Sequence, residues 1–157
     1  KQTWNDVNGK YVDACENVQQ LESGNMYGGD AFWNSFWNLN GLWSIITPTI
    51  IDDWVTTQLE MYNHTGWTSK GPAGLEYSGI MEGSHETALM VAAYQKGIRK
   101  DGDAIYQAIR KNVTETGINH PSGGNCGNPL LVEYIKYGYM PSEKGVVSKT
   151  RDYAFEE

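Results

Sequence analysis

The stretch FWNSFWNLN, residues 32–40, contains four aromatic side chains and three asparagines, and it carries most of the information about the fold. In a helix, apolar side chains at spacings of four, three, four and three form one stripe: Phe32, Phe36, Leu39, Trp43 and Ile46. A second face places amides beside aromatic rings, at Trp33, Asn34, Trp37, Asn38, Gly41 and Ser44. Two interpretations stay open. The helix is either buried, with its amides bonded to neighbouring backbone, or it walls a cavity for a ligand with polar and apolar faces, such as a sugar.

The composition is that of a folded domain with an acidic surface. The 157 residues are 39% hydrophobic and 12% aromatic, enough for one domain with its own core. Nineteen acidic and twelve basic side chains give a net charge of −7, which disfavours nucleic acid and anionic membranes as partners. No apolar segment approaches the roughly 20 residues that span a bilayer. The start, Lys1-Gln2-Thr3, has no initiator Met, so we expect a processed or cut N-terminus.

Helical periodicity dominates the chain after its first 29 residues. Residues 1–29 carry turn signals and are predicted to form an irregular arm, with a short helix around Cys15 to Leu21. Capping residues and apolar spacing then predict helices at about 30–46, 48–63, 84–97, 103–114, 129–137 and from Ser148 onward. The predicted class is therefore all-α. Paired helices joined by long loops indicate that residues 30–157 are helical hairpins forming part of a larger (α/α)6 toroid.

Carboxylates gather where the third helix begins. Glu76, Glu82 and Glu86 flank the preceding loop, and His85 stands beside Glu86. Glycosidases place two carboxyls across a sugar, one as acid and one as base or nucleophile. The alternative is a solvated helix N-terminus, where acidic residues are favoured in any case. Trp67, on the loop before this cluster, could stack on a sugar ring or plug the end of a helical hairpin.

The sequence contains no motif for several other chemistries. It has no HExxH, cysteine-pair zinc pattern, nucleophile elbow, phosphate loop or dinucleotide fingerprint. The two cysteines, Cys15 and Cys126, could form a long-range disulfide, pair outside the chain or stay reduced. Glycosylation sequons begin at Asn63 and Asn112, near the ends of predicted helices, where a glycan could be exposed.

Seven short segments, covering nearly the whole chain, occur in an order typical of one family. They are Asn5–Tyr11, Phe32–Phe36, Gly66-Trp67 with Lys70, Gly83–His85, Ala93–Ile98, Tyr137–Pro141 and Ser148–Phe155. In this order the chain resembles glycoside hydrolase family 92, the calcium-dependent exo-acting α-mannosidases. The chain departs from the family pattern at Asn34, where the family usually carries Asp after the tryptophan. Asp152 and Glu156-Glu157 likewise stand where Glu and Asp-Asp are more usual.

The resemblance implies an (α/α)6 toroid that hydrolyses terminal α-mannose with inversion, with a calcium ion that helps to distort and hold the sugar. One carboxyl would protonate the leaving oxygen, and another would activate water across the ring. The family's acid, base and most calcium-binding segments would lie beyond Glu157, so no catalytic residue is assigned here and the metal ligands stay unknown. The substrate-side candidates carried over from the resemblance are Trp33, Asn34, Trp67, Lys70, His85 and Glu86.

The leading hypothesis is a segment of a secreted α-mannosidase-like enzyme. Its partners would be a mannose-containing glycan and the remainder of its own polypeptide or an assembly, with no nucleic acid and no membrane span. One rival is a non-catalytic glycan-binding or structural module with the same toroid, which the uncharged Asn34 motivates. A second rival is a toroid glycosidase of another specificity.

Overall fold

The computed structural model describes residues 2–28, 32–71, 77–78, 83–121, 123–146 and 148–156. Helices dominate these ranges: α1 Phe32–Ser35, α2 Leu39–Ile46, α3 Pro48–Thr65, α4 His85–Gln95, α5 Gly102–Thr114, α6 Leu131–Tyr137 and α7 Lys149–Glu156. The strands are β1 Gln2–Thr3, β2 Lys10–Val12, β3 Val18–Gln20, β4 Tyr27–Gly28, β5 Ile118–Asn119 and β6 Asn125–Cys126. They pair as antiparallel ladders β1–β4, β2–β3 and β5–β6. The chain is thus mainly helical, but the prediction of an all-α class missed three small ladders.

Helix α3 is the centre of the main core. Pro48 occupies its first turn, where a missing N–H costs nothing, and Gly66 ends it in the left-handed conformation with φ 82°. One face is buried against α4 and α5, through side chains that include Ile51, Trp54, Val55 and Leu59. The sequence predicted this helix and its boundaries within two residues.

The helix predicted at 30–46 is divided in two, which corrects the single-helix interpretation. Within the described part, α1 ends at Ser35 and α2 begins at Leu39, because Asn38 leaves helical geometry with φ −148°. Phe32 is buried and packs edge-on against Trp54, with ring centroids 4.8 Å apart. In α2 no residue is buried, and Ile46 of the predicted apolar stripe is 64% exposed. The stripe is therefore continuous in sequence but not in space.

The N-terminal arm forms two of the ladders, and the helix expected around Cys15 to Leu21 is absent from it. The carboxylate of Asp13 accepts hydrogen bonds from the backbone N–H groups of Cys15 and Asn17, which folds this segment into a turn. Such local side-chain bonds compete with helix formation. The arm is fixed to α3, since the Tyr27 N–H donates to Oγ1 of Thr57 over 3.0 Å.

Two further clusters complete the interior. Tyr11, Met26, Met61, Trp67, Tyr77 and Cys126 pack together between the arm and the β5–β6 hairpin. Leu131, Tyr134, Met140 and Tyr153 form a smaller core between α6 and α7. Cys15 is exposed and Cys126 is buried, and both are free thiols, so the structure does not contain the long-range disulfide between them. Among the described helices, none is long and apolar enough to cross a membrane.

Candidate substrate-binding site

Three rings meet where α1, α4 and α7 approach one another, and we call them the aromatic cluster: Phe36, His85 and Phe155. The His85 imidazole stacks on Phe36, with centroids 4.9 Å apart and an interplanar angle of 12°. Phe155 approaches His85 edge-on at 5.7 Å and Phe36 at 5.4 Å. His85 is the first residue of α4, and Phe155 belongs to α7. The cluster thus joins residues from three separate parts of the sequence.

The tryptophan and asparagine predicted to face a sugar lie in the turn just before this cluster. Trp33 is half-buried and Asn34 is exposed, both in α1. Trp37 follows and is 81% exposed, with its ring 6.0 Å from that of Phe36. Neither Trp33 nor Asn34 is enclosed in a dry core. The stack of Phe36 on His85 brings this α1 turn to the start of α4, so part of the predicted constellation assembles.

A buried polar cluster lies beneath His85, and Glu86 is at its centre. Oε1 of Glu86 accepts a 3.1 Å hydrogen bond from the Thr68 hydroxyl and a long one of 3.4 Å from Nδ2 of Asn112. Nδ2 of Asn112 also donates to Oγ1 of Thr68 over 2.6 Å. Glu86 is fully buried and Asn112 is 1% exposed. This overturns the interpretation of Glu86 as a solvated acid at a helix terminus.

A second buried carboxyl, Glu156, joins the same cluster from α7. Its Oε1 accepts the backbone N–H of Ser84 over 2.6 Å, and its Oε2 accepts Nδ2 of Asn128 over 2.6 Å. Oδ1 of Asn128 in turn accepts from Nζ of Lys70 over 3.3 Å. Lys70 was predicted as a substrate-side residue, but it is only 5% exposed and belongs to this internal network.

Burial sets the protonation of the two carboxyls. Burial, followed by the charge of Glu156, raises the pKa of Glu86 to about 8. Burial also raises the pKa of Glu156, while the bonds from Asn128 and Ser84 and the charge of Lys70 oppose that rise. Glu86 therefore keeps its proton at neutral pH, whereas the hydrogen bonds to both oxygens of Glu156 favour its ionised form. In the described structure Oε2 of Glu86 and Oδ1 of Asn112 are both buried and without a hydrogen-bond partner, and the proton gives that Oε2 a hydrogen to donate.

His85 differs from the groups beneath it because it is only half-buried. Burial lowers the pKa of its imidazole, and the charge of Asp152 opposes the change. The ring is therefore neutral at pH 7, with one nitrogen that donates a hydrogen bond and one that accepts. In the described structure Nδ1 of His85 is buried without a hydrogen-bond partner, so Nε2 is the nitrogen that could bond a sugar hydroxyl.

Trp67 does not join the candidate site. The indole is 5% exposed and packs in the cluster with Met61 and Tyr77, and Nζ of Lys111 lies 4.6 Å from its ring centroid. The phenol of Tyr77 donates to the Trp67 carbonyl over 2.6 Å. The structure therefore supports the alternative in which Trp67 plugs the end of a hairpin. The acids Glu76 and Glu82 lie outside the described residues.

The two sequons also differ in the structure. Asn63 is exposed near the end of α3, as a glycan would require. Asn112 is buried and its Nδ2, the atom that would carry the glycan, is bonded to Thr68. The expectation of an exposed glycan at Asn112 is therefore wrong for the folded chain.

The described residues do not form a calcium site. Calcium takes six to eight oxygen ligands, usually with several carboxylates among them. Within the described ranges, no group of three or more His, Cys, Asp or Glu side chains is placed to hold a metal. The two carboxyls that do approach each other, Glu86 and Glu156, share their surroundings with the Lys70 amine instead.

Sequence reasoning missed the residues that organise this region, namely Ser84, Asn112, Asn128, Phe155 and Glu156. The sequence singles out Asn112 only as a glycosylation sequon, and it gives no signal for Asn128. Phe155 ends the last segment of the family resemblance and Glu156 follows it directly, and this position was the one sequence feature that pointed to these two residues. A buried polar side chain is not distinguishable from an exposed one by its identity alone.

The sequence matches the family model "Glycosyl hydrolase family 92 catalytic domain" over residues 1–157, and the chain belongs to this family. Among solved structures, a family GH92 α-mannosidase from Bacteroides thetaiotaomicron, in complex with mannoimidazole, superposes with a TM-score of 0.85 at 19% identity over 98% of this chain. A family GH92 inverting mannosidase from the same organism gives 0.80 at 25% identity over 96%. This chain covers 20% of each of those longer chains. No curated protein matches the sequence.

Proposed function

We propose that this chain is part of an enzyme that hydrolyses terminal α-mannose from glycans, and that it supplies one wall of the sugar site. The observation that supports this proposal most directly is the stack of His85 on Phe36, which brings Trp33 and Asn34 of α1 to the start of α4. The chain in which this occurs belongs to glycosyl hydrolase family 92. In this proposal Trp33, Asn34 and His85 contact the sugar. Lys70 and Glu86 are buried and do not touch it, but their hydrogen bonds belong to the buried polar cluster beneath His85.

The side chains of this wall match the chemistry of a sugar. The Asn34 amide has donors and an acceptor for hydroxyl groups, and its exposure leaves them available. The half-exposed indole of Trp33 offers an apolar face for ring C–H groups. The neutral His85 adds one ring nitrogen, Nε2, because its Nδ1 is buried in the described structure. Together they provide orientation and binding, and the half-exposed carboxyl of Asp152 lies close enough to act on His85 by its charge.

The remaining features of the proposal concern the whole protein. We infer that other segments complete an (α/α)6 toroid, contribute the acid and the base, and provide calcium ligands that the described residues lack. Inversion at the anomeric carbon would follow if water attacks opposite the leaving oxygen. The similarity to a solved inverting mannosidase supports this stereochemistry. We further propose extracellular action, where glycans of this kind are found.

An activity assay on the intact protein tests the proposal. We expect release of mannose from α-linked mannobiose, loss of activity on chelation and its recovery with added calcium. NMR of the first product formed reports the anomer, and the β-anomer is expected for inversion. Release of glucose from α-glucosides without release of mannose would instead favour a toroid glycosidase of another specificity. Activity that resists chelation would exclude calcium assistance.

A second candidate is a glycan-binding module without catalysis, and Asn34 favours it. The amide stands where the family usually has a carboxylate, and an amide bonds hydroxyls more weakly than a charged group. Isothermal titration with mannobiose separates the two candidates. Saturable binding without hydrolysis in the intact protein would support the module.

A further inference from the structure

Helix α4 begins without the usual capping bond from its own N-cap residue. Ser84 occupies that position with φ −88° and ψ 62°, and its side chain makes no capping hydrogen bond. Its backbone N–H is instead bonded by the Glu156 carboxylate at 2.6 Å, from 72 residues further along the chain. The first turn of α4 is thus anchored by α7.

The same end of α7 contacts the first residue of α4. Phe155 meets the His85 ring edge-on at 5.7 Å, while Phe36 stacks against that ring at 4.9 Å. Gly83, just before, leaves little room, since a β-carbon there would come within 3.1 Å of Nε2 of His85. The imidazole is therefore confined by Phe36, by Phe155 of α7 and by the backbone at Gly83.

Glu156 is itself held in one orientation. It is 6% exposed, and its second oxygen accepts from Nδ2 of Asn128, which also donates to the Asn112 carbonyl over 3.1 Å. Asn112 lies in α5, so the carboxylate is connected to that helix as well as to the segment between β6 and α6. Because both oxygens of Glu156 are hydrogen-bonded, the carboxylate can hold the Ser84 N–H in one position.

We propose that Glu156 is a positioning residue for the sugar site: by holding the Ser84 N–H it sets the orientation of the His85 ring. The role rests on the proposed function, in which His85 contacts the mannoside. Glu156 itself is buried and acts only through α4. The adjacent Phe155 completes the same arrangement by restricting rotation of the imidazole.

A double-mutant cycle in the intact protein tests the kinetic side of this proposal. Glu156→Gln should raise KM for α-linked mannobiose roughly tenfold and change kcat less than about twofold, because ground-state contacts are misaligned. In a His85→Ala background the same substitution should change KM less than about twofold, since residues that act through one another are not additive. Glu143→Gln, an exposed control, should change neither constant. Equal effects of Glu156→Gln in both backgrounds would overturn the proposal.

A structural readout tests the positioning independently of activity. With histidine-selective ¹³C labelling, the Cε1–H resonance of His85 is identified by its loss in His85→Ala. We expect the stack on Phe36 to shift this resonance, and Glu156→Gln and Phe155→Leu each to move it toward the value of an exposed histidine. An unchanged resonance in Glu156→Gln would contradict the proposal. If His85→Ala leaves KM unchanged, the proposed contact between His85 and the sugar is contradicted. The Cε1–H resonance of His85 in Glu156→Gln still shows whether Glu156 orients the ring.

Discussion

The α-carbon of Gly127 lies against the indole ring of Trp67, so that a β-carbon at residue 127 would collide with the six-membered part of that ring. Gly127 also has a positive φ of 57°. Trp67 is buried, with the Lys111 amine 4.6 Å from its ring centroid. The segment between β6 and α6 is therefore shaped around the tryptophan that closes the hairpin end.

Gly127→Ala should destabilise the protein for this reason. The added methyl group must displace a packed ring and also adopt a strained backbone, so we expect a loss of about 2–3 kcal/mol in the free energy of unfolding. Denaturant unfolding of the intact protein measures it. Gly41→Ala is the matched control, because Gly41 lies in α2 with nothing near its β-position and should gain about 0.5–1 kcal/mol. Equal stability of Gly127→Ala and the wild type would disprove the packing argument.

Asn34→Ala should impair sugar binding without affecting the fold. Asn34 is exposed, so the free energy of unfolding should change by less than about 0.5 kcal/mol. Loss of hydrogen bonds to sugar hydroxyls should raise KM for mannobiose roughly tenfold. Asn38→Ala, an exposed asparagine one turn further on, is the control and should leave KM unchanged. If Asn34→Ala and Asn38→Ala have similar KM values, Asn34 does not contact the sugar.

Glu86→Gln should remove a pH dependence of stability. The folded pKa of about 8 lies above the ordinary value of 4.5, so the folded protein keeps a proton that the unfolded chain releases between these values. Stability should therefore fall as pH rises through this range, by at most about 1.4 kcal/mol per pH unit. Glutamine resembles the protonated acid and carries no such dependence. Thermal unfolding at pH 5, 6 and 7 should show wild type and variant converging at pH 5, with the variant more stable at pH 7; parallel curves would refute this.

The two thiols should differ in reactivity. Burial raises the pKa of Cys126 to about 12, and its side chain is inaccessible, whereas Cys15 is exposed. A thiolate is the reactive form, so the native protein should react with iodoacetamide at Cys15 within minutes and at Cys126 only after unfolding. Peptide mass spectrometry identifies the labelled site, and Cys15→Ser should abolish the native reaction. Native labelling at Cys126 would show that the cluster around Trp67 opens readily.

Expression in a secretory host that glycosylates asparagine should modify Asn63 and spare Asn112. The side chain of Asn112 is buried and bonded to Thr68, so the folded chain cannot present it. Glycopeptide mapping gives the occupancy of each sequon. Asn63→Gln should remove the glycan and leave the unfolding temperature nearly unchanged. High occupancy at Asn112 would mean that modification precedes folding of α5.

The helices were predictable because their signals are local. The Thr47-Pro48 start and the Gly66 end of α3 act within a few residues, and the structure has both. The break at Asn38 was not predictable, because Phe32 is drawn into the core by Trp54 of a different helix while α2 faces outward. The short ladders of the arm were also missed, since two or three paired residues leave no alternating pattern.

Three of the six candidate site residues that the sequence pointed to lie at or near the aromatic cluster. The positions of the other three depend on contacts with residues that are distant in sequence. Trp33, Asn34 and His85 came from the ordered segments of the resemblance. The burial of Lys70 and Glu86 depends on Asn128 and Glu156, which are distant in sequence. The role of Trp67 depends on Gly127, because only a residue without a side chain leaves space for the indole.

The bond between Ser84 and Glu156 also has a consequence for biosynthesis. A nascent chain emerges from the ribosome N-terminus first, and domains generally begin to fold in that order. The Ser84 N–H at the start of α4 therefore has no Glu156 carboxylate to bond until α7 has been synthesised, 72 residues later. Translation that stops before α7 would leave the Ser84 N–H without the Glu156 carboxylate and the His85 ring without its contact to Phe155.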